Sequence, residues 1–445
     1  MVKLVGIFSH FQPIDVLVIG DLMLDIYTTG KVRRISPEAP VPILHVEKEE
    51  HRPGGAGNVV LNLLSLGAHV KIVGRLGQDG AGFRLKDELG KEGADCSGLL
   101  FQKDFTTPVK NRLIAGAQQI LRVDSEDIIP LPLSLEDQLI KELPALLEDV
   151  QIVAISDYGK GFLSRRLLAS IIQATKIKNI PILVDPKGDD FTKYAQATLI
   201  KPNLSEAYVA AKLPSTATLD EVAENILKIS QTEKILITKS EAGMSLFERD
   251  GSRYDFPVRS KEVKDVTGAG DTVLAMLCMA LGNQLDLKDA VQLSNVAAGM
   301  AIERLGCARI TLSEMAHRLL EYDVINKIFD ENHLFALSQA LNDKRFTVLG
   351  LDETQELTAS LFKSLKLLSS RDVDGKLIIY ISDNHPDEEF ISLLSSLSEV
   401  DFIVRKSESL QHLCDAICPH EVYIMENDQL AYIDHHSTLF DKLGC

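Results

Sequence analysis

The run Asp265-Val-Thr-Gly-Ala-Gly-Asp271-Thr-Val273 joins a Gly-Ala-Gly turn to a carboxylate and then to a small-residue helical stretch, Thr272 to Leu281. Successive backbone N–H groups at such a turn point to one spot at a helix N-terminus, where the helix dipole adds to their pull on an anion. Gly268, Ala269 and Gly270 then form an anion hole, with Asp271 at its edge. A carboxylate in that place takes the proton from an attacking hydroxyl while the amides hold the charge on a transferred phosphoryl group. Taken alone, the run fits equally well a glycine turn with Asp271 as an ordinary N-cap.

Other residues invite the same two-sided reading. Pro53-Gly-Gly55-Ala-Gly-Asn58 opens a helix from Val59 to Leu66. Its small residues let a polar ligand approach the backbone, and Asn58 both donates to and accepts from a sugar hydroxyl; a tight turn before a helix explains the same residues. Asn203 and Glu206, three apart after Lys201-Pro202, form a capping box. They also suit an outer support for Mg²⁺ and nucleotide phosphates, because Mg²⁺ keeps most of its waters. Lys110, Arg112 and Arg122 lie on a strand-like segment and are the cations an anionic substrate would need; a solvated strand face is the alternative. His412, Cys414, Cys418 and His420 could ligate zinc, but the thiols stand four apart in an apolar helical pattern and read as buried on one face, so no metal site is expected. No Gly-x-x-x-x-Gly-Lys-Ser/Thr loop and no protein-kinase loop set occurs.

Positioning these groups requires an α/β frame. From residue 15 to about 315, short β-branched runs (Val16-Ile19, Val70-Val73, Ile152-Ile155, Ile182-Val184, Thr198-Ile200, Ile235-Thr238) alternate with helical stretches such as Leu135-Leu147 and Leu219-Ile229. That alternation predicts a mostly parallel sheet with helices on both faces and ligands beyond the carboxyl ends of the strands. Asp21, Asp25, Asp157, Asp185, Lys187 and Asn203 all follow strand candidates. Val41–Val46 and Val109–Val123 break the pattern and predict a small separate sheet, a lid. A charged connector follows Ser313, and a fresh β/α pattern begins at Phe346 with strands at Leu377-Ile381, Phe402-Val404 and Val422-Met425.

The 445 residues are 45% apolar and 25% charged, with 47 Lys and Arg against 64 Asp and Glu, a net charge of −17. That balance argues against sequence-independent nucleic-acid binding. No run suits a membrane span, Met1 to Gly20 does not read as a secretory signal, and six scattered cysteines fit a reducing cytoplasm.

The segments Gly20–Asp25, Arg34–Pro42, Arg52–Ala56 with Asn58, Ser156–Gly161, Asp185–Gly188, Lys201–Glu206, Thr238–Met244 and Asp265–Thr272 together resemble the ribokinase-like (PfkB) carbohydrate kinases. Within that family the resemblance is to the heptose-7-phosphate kinase domain of the enzymes that make ADP-heptose for the lipopolysaccharide inner core. It spans residues 15 to about 312. The resemblance implies a ribokinase-like fold and transfer of a phosphoryl group from ATP, with Mg²⁺, to the anomeric hydroxyl of a heptose 7-phosphate. It makes Asp271 the base, and Asn203, Leu204, Ser205 and Glu206 the ATP segment, with Lys239 to Gly243 and Asn295 near the adenosine. Asp25, Gly55, Asn58, Asp185 and Lys187 become sugar contacts, and the carbonyls of Asp265 and Thr267 fall where some relatives hold a monovalent cation. Lids of this family often pair between subunits, so a homodimer is expected. A kinase of another sugar remains an alternative; a non-catalytic sugar sensor is disfavoured because Asp271 and its glycines are intact.

The resemblance divides the chain into a kinase domain at 1–320, a linker at 321–344 and a smaller Rossmann-like, cytidylyltransferase-like domain at 345–445. The His-x-Gly-His motif that such a domain uses to bind ATP phosphates is replaced by Gly350-Leu-Asp352-Glu353-Thr-Gln-Glu356. Carboxylates at that helix start repel a triphosphate, so adenylyl transfer is expected to be lost.

Overall fold

The computed structural model describes residues 11–116, 118–258, 263–304, 306–322, 327–329, 334–341, 344–351, 357–371, 375–382, 387–405, 409–426 and 429–433. The chain divides into two compact units, the larger spanning Gln12–Thr311 and the smaller taking Phe11 together with the chain from Leu312 onward.

Strands of the larger unit are β1 (Asp15–Gly20), β2 (Leu22–Ile35), β3 (Pro42–Gly55), β4 (His69–Gly77), β5 (Asp95–Gln102), β6 (Val109–Ala115), β7 (Gln118–Ser125), β8 (Ile152–Ser156), β9 (Ile182–Asp185), β10 (Leu199–Ile200), β11 (Lys234–Thr238), β12 (Met244–Glu248) and β13 (Arg253–Phe256). Among the described residues nine of them form one sheet in the order β13-β12-β11-β10-β9-β8-β1-β4-β5. All neighbours are parallel except the pairs β11–β12 and β12–β13. Val16–Ile19 is buried without alternation, because helices cover both faces of a parallel sheet. From β1 the chain runs outward through β4 and β5, then returns to β8 on the other side and runs out through β9, β10 and β11. The order therefore reverses between β1 and β8, and the crevice beyond their carboxyl ends is the expected ligand position. Asp21 follows β1 there, and Asp157 and Tyr158 follow β8.

The lid is a four-stranded sheet, β3-β2-β6-β7. It is larger than the sequence suggests. β2, which the sequence pattern does not reveal, leaves β1 through Asp21 alone, and β3 runs on from the expected Val41–Val46 to Gly55. Register shifts at Thr29/Gly30 and Val32/Ile35 break the β2–β3 ladder, so the alternation that would mark these strands is interrupted.

In the smaller unit, β14 (Ile328–Phe329), β15 (Phe346–Leu351), β16 (Lys376–Ile381), β17 (Phe402–Arg405), β18 (Glu421–Glu426) and β19 (Gln429–Ile433) form a sheet in the order β14-β17-β16-β15-β18-β19. Only the β18–β19 pair is antiparallel. Val348 and Ile378 belong to one core cluster and their neighbours Leu349 and Ile379 to another, so this sheet too is covered on both faces. The Rossmann-like expectation is met, but its boundary moves. Helix Leu312–Tyr322, placed with the kinase domain by sequence, buries Met315, Ala316 and Leu319 and packs on helix Leu334–Leu341 of the smaller unit. Residues 328–329 and 334–341 of the expected linker are strand and helix. The two cysteines of the apolar helical pattern also separate: Cys414 is buried, whereas Cys418 is exposed beyond the helix, at a left-handed C-cap with φ 53°. Asp352, Glu353 and Glu356 lie outside the described residues.

Candidate active site

The glycine-rich turn opens a helix at Ala269, three residues earlier than expected, and the helix runs to Gly282. Gly268 is the cap, at φ 80°, so Asp271 sits inside the first turn rather than serving as N-cap. A Cβ at Gly268 would fall 2.9 Å from Asn58 Nδ2 and 3.2 Å from Cys307 Sγ, so both backbone conformation and space require glycine. The Ala269 amide donates to the Val266 carbonyl at 3.3 Å. The amides best placed for an anion therefore begin at Gly270, since the first turn of a helix has no carbonyl of its own to serve them. Every residue from Asp271 to Ala280 is buried, which fixes the turn against the sheet and helix Ala56–Ser65.

Asp271 is held from both sides. Asn58 Nδ2 donates to its Oδ2 at 2.7 Å, and the Tyr158 hydroxyl donates to its Oδ1 at 2.9 Å. Burial pushes the Asp271 carboxyl up to about 6, helped by the charge of Asp185 and opposed by both hydrogen bonds and by Lys201. A carboxylate poised there is ionised at neutral pH yet basic enough to accept a proton. Burial and the neighbouring Asp271 charge keep the Tyr158 phenol well above its ordinary range, so it stays a donor. Tyr158 is aimed by the turn after β8: Asp21 Oδ2 accepts from the amides of Tyr158 (2.9 Å) and Lys160 (3.0 Å), and Asp157 Oδ1 accepts from the Gly159 amide.

The lid presents charge on one face. Register pairs Asp25 and Tyr27 of β2 with Lys110 and Arg112 of β6, and these in turn with Asp124 and Arg122 of β7. Arg112 is paired directly with the buried Asp25 carboxylate. Arg122 is half-exposed and donates two hydrogen bonds to the Asp124 carboxylate on its own strand, so the structure does not bring it against the site. The alternate positions Leu121 and Val123 are exposed.

On the other side of Asp271 lies a cavity of about 420 Å³, lined by Asp185, Lys187, Asn203, Glu206, Gly243, Ala269, Gly270 and Asn295 of the expected residues. Asn203 and Glu206 form the capping box of helix Leu204–Ala211, with Asn203 Oδ1 accepting from the Glu206 amide and Glu206 accepting from the Asn203 amide. Glu206 also takes Lys187 Nζ at 2.8 Å, which places Lys187 on this side rather than deep among the sugar contacts. Asn295 donates to the Pro257 carbonyl, and its buried Oδ1 has no partner among the described residues. Leu204, Ser205 and Lys239 do not line the cavity; Leu204 and Ser205 are exposed, and Lys239 is paired with Asp255. Sequence reasoning assigned no role to Tyr158 or to Lys201. Lys201 is buried, pairs with Asp185 at 3.0 Å, and its Nζ lies 3.5 Å from where a Gly270 Cβ would stand. Tyr158 follows Asp157 within Ser156–Gly161, a segment of the family resemblance, and Lys201 stands just before the Asn203–Glu206 capping box.

The pfkB family of carbohydrate kinases matches residues 14–314. The bifunctional protein HldE of Geobacter metallireducens is 43% identical over 312 residues, covering 70% of this chain and 64% of that protein. The HldE protein of Campylobacter curvus is 41% identical over 311 residues, covering 69% and 65%. The chain thus spans a little under two thirds of the length of these relatives. Escherichia coli phosphofructokinase-2, solved in complex with potassium, shares the fold with a TM-score of 0.58 at 18% identity over 70% of this chain and 99% of its own. Arabidopsis thaliana ribokinase, solved with ribose and ATP, does so with a TM-score of 0.55 at 16% identity over 69% and 99%. The chain belongs to the pfkB family of carbohydrate kinases, and the larger unit has the ribokinase-like fold.

Proposed function

We propose that the larger unit transfers the γ-phosphoryl group of ATP to the anomeric hydroxyl of a heptose 7-phosphate, giving the 1,7-bisphosphate. The observation that carries this reading is the Asp271 carboxylate, held by Asn58 and Tyr158 in the first turn of a helix whose residues Ala269 and Gly270, with Tyr158, line a cavity of nucleotide size. Asp271 accepts the proton of the attacking hydroxyl, and the amides of Gly270 and Asp271, with the Lys201 ammonium, receive the charge on the transferring group. The partnerless Oδ1 of Asn295 is an acceptor for a base amino group. Asp185 and Glu206, both lining the cavity, suit Mg²⁺, which binds through one or two carboxylates, waters and the phosphates themselves. Bound there, the ion neutralises phosphate oxygens. A monovalent cation at the Asp265 and Thr267 carbonyls and a homodimer formed through the lid complete the reading, and the smaller unit is proposed to lack adenylyl transfer.

The test is a coupled assay of ADP release over free and phosphorylated hexoses and heptoses, with phosphorus NMR of the product. Turnover restricted to sugar phosphates, and a new anomeric phosphate signal, are expected. A clear preference for ribose or another unphosphorylated sugar would overturn the substrate assignment.

A further inference from the structure

We propose that two lysines, Lys110 of the lid and Lys160 of the turn after β8, hold the phosphate that the substrate already carries, and so set the preference for a sugar phosphate over the free sugar. This rests on the sugar-phosphate reading above and names the residues that would enforce it.

The choice of lysines follows from which cations are already engaged. Of the basic residues on the charged face of the lid, Arg112 is paired with Asp25, Arg122 with Asp124, and Arg52, opposite Asp25 on β3, with Glu50 at 3.6 Å. Lys110 has no ion pair among the described residues; its Nζ lies 5.8 Å from the centre of the Tyr158 ring. Lys160 lies close enough to Lys110 to repel it, two residues beyond Tyr158 in the turn that Asp21 pins. Its ammonium is 2.6 Å from Glu126 Oε1, and both side chains are largely buried. The second oxygen of Glu126 is buried with no partner among the described residues. Burial and the nearby Lys160 charge together lower the Lys110 pKa.

Asp25, Asp124 and Glu126 all lie near Lys110, but the first two are paired with Arg112 and Arg122, so the two ammonium groups share Glu126 with one positive charge in excess, which a phosphate dianion relieves. The geometry also gives the polarity of binding. The Tyr158 hydroxyl donates to the base, and Lys110 Nζ lies over the Tyr158 ring. A sugar lying along that ring directs its reacting hydroxyl to Asp271 and its far, phosphorylated end to the lysines, which orients the reactant as well as binding it.

The experiment compares kcat/KM for D-glycero-D-manno-heptose 7-phosphate and for the unphosphorylated heptose, in the full-length protein and in Lys110→Gln, Lys160→Gln and Lys110→Arg. The ratio of the two values is insensitive to any loss of folded protein. Each Gln variant should lower that ratio about 10- to 100-fold, as expected for one charge-assisted hydrogen bond, chiefly through KM of the phosphate; Lys110→Arg should restore most of it. If the unaltered protein favours the phosphorylated sugar and both Gln variants keep the ratio, the lysine pair is wrong while the substrate reading stands. An unaltered protein that does not favour the phosphorylated sugar overturns the substrate reading, and the pair with it.

Discussion

Asp271 carries the proton chemistry, and its surroundings set the pH at which it works. Asp271→Asn keeps the shape and both neighbours but removes the acceptor, so kcat should fall by about 10²–10⁴-fold with little change in nucleotide affinity; turnover near that of the unaltered protein would remove Asp271 from the mechanism. With the carboxyl at about 6, the ionised and active form is lost as pH falls, so log kcat/KM should bend downward below about pH 6. The Tyr158 hydroxyl stabilises the charged form by donating to it. Tyr158→Phe removes that donor while burial continues to favour the protonated acid, so the bend should move to higher pH. A pH profile that keeps its bend in Tyr158→Phe, whatever the change in kcat, would mean that the hydroxyl does not act on the base.

At the scale of elements, two devices deserve a test: the capped helix and the lid. Gly268→Ala places a Cβ against Asn58 and forces alanine into a left-handed conformation, which costs on the order of 1–3 kcal/mol in stability and displaces one of the two donors to Asp271. Thermal unfolding and kcat should both fall, and unchanged values of both would show that the turn is more plastic than its geometry implies. The lid bears Asp25, Lys110 and Arg112 on its charged face and exposed Leu121 and Val123 at the alternating positions. The charged face should close on substrate and exclude water. Amide exchange in β2, β3, β6 and β7 is therefore expected to slow when sugar phosphate and a non-hydrolysable ATP analogue are both present. Identical exchange with and without them would leave the sheet as a fixed wall.

Over the whole molecule, each unit has a sheet covered on both faces and its own core. Independent folding is the physical expectation for such units. A chain ending after Thr311 should thus retain kinase activity, measured by the same ADP-release assay, because the groups around Asp271 and the 420 Å³ cavity all lie before that point. The smaller unit should not bind ATP. Asp352, Glu353 and Glu356 follow β15 in sequence where a phosphate would need donors, and no Lys or Arg occurs from 349 to 362 to offset them. Calorimetric titration of ATP into residues 312–445 should give no heat beyond dilution; saturable binding would mean that other residues have rebuilt a phosphate site.

The amino-acid sequence by itself determined the parts of this protein that depend on local chemistry. The Gly-Ala-Gly-Asp run, the Asn203–Glu206 capping box and the β-branched runs of the large sheet were all legible, because a turn, a cap and a buried parallel strand each leave a signature within a few residues. Tertiary structure decided what depends on residues distant in the chain. Asn58 and Tyr158 meet Asp271 across 213 and 113 residues, and Lys201 meets Asp185 through neighbouring strands. Asp124 takes Arg122 within one strand, but nothing local distinguishes Lys110 from Arg112; only the packing of β2 beside β6 shows that Asp25 has taken Arg112. Local sequence carries propensity and spacing, whereas the pairing of buried charges is settled by which strands lie side by side.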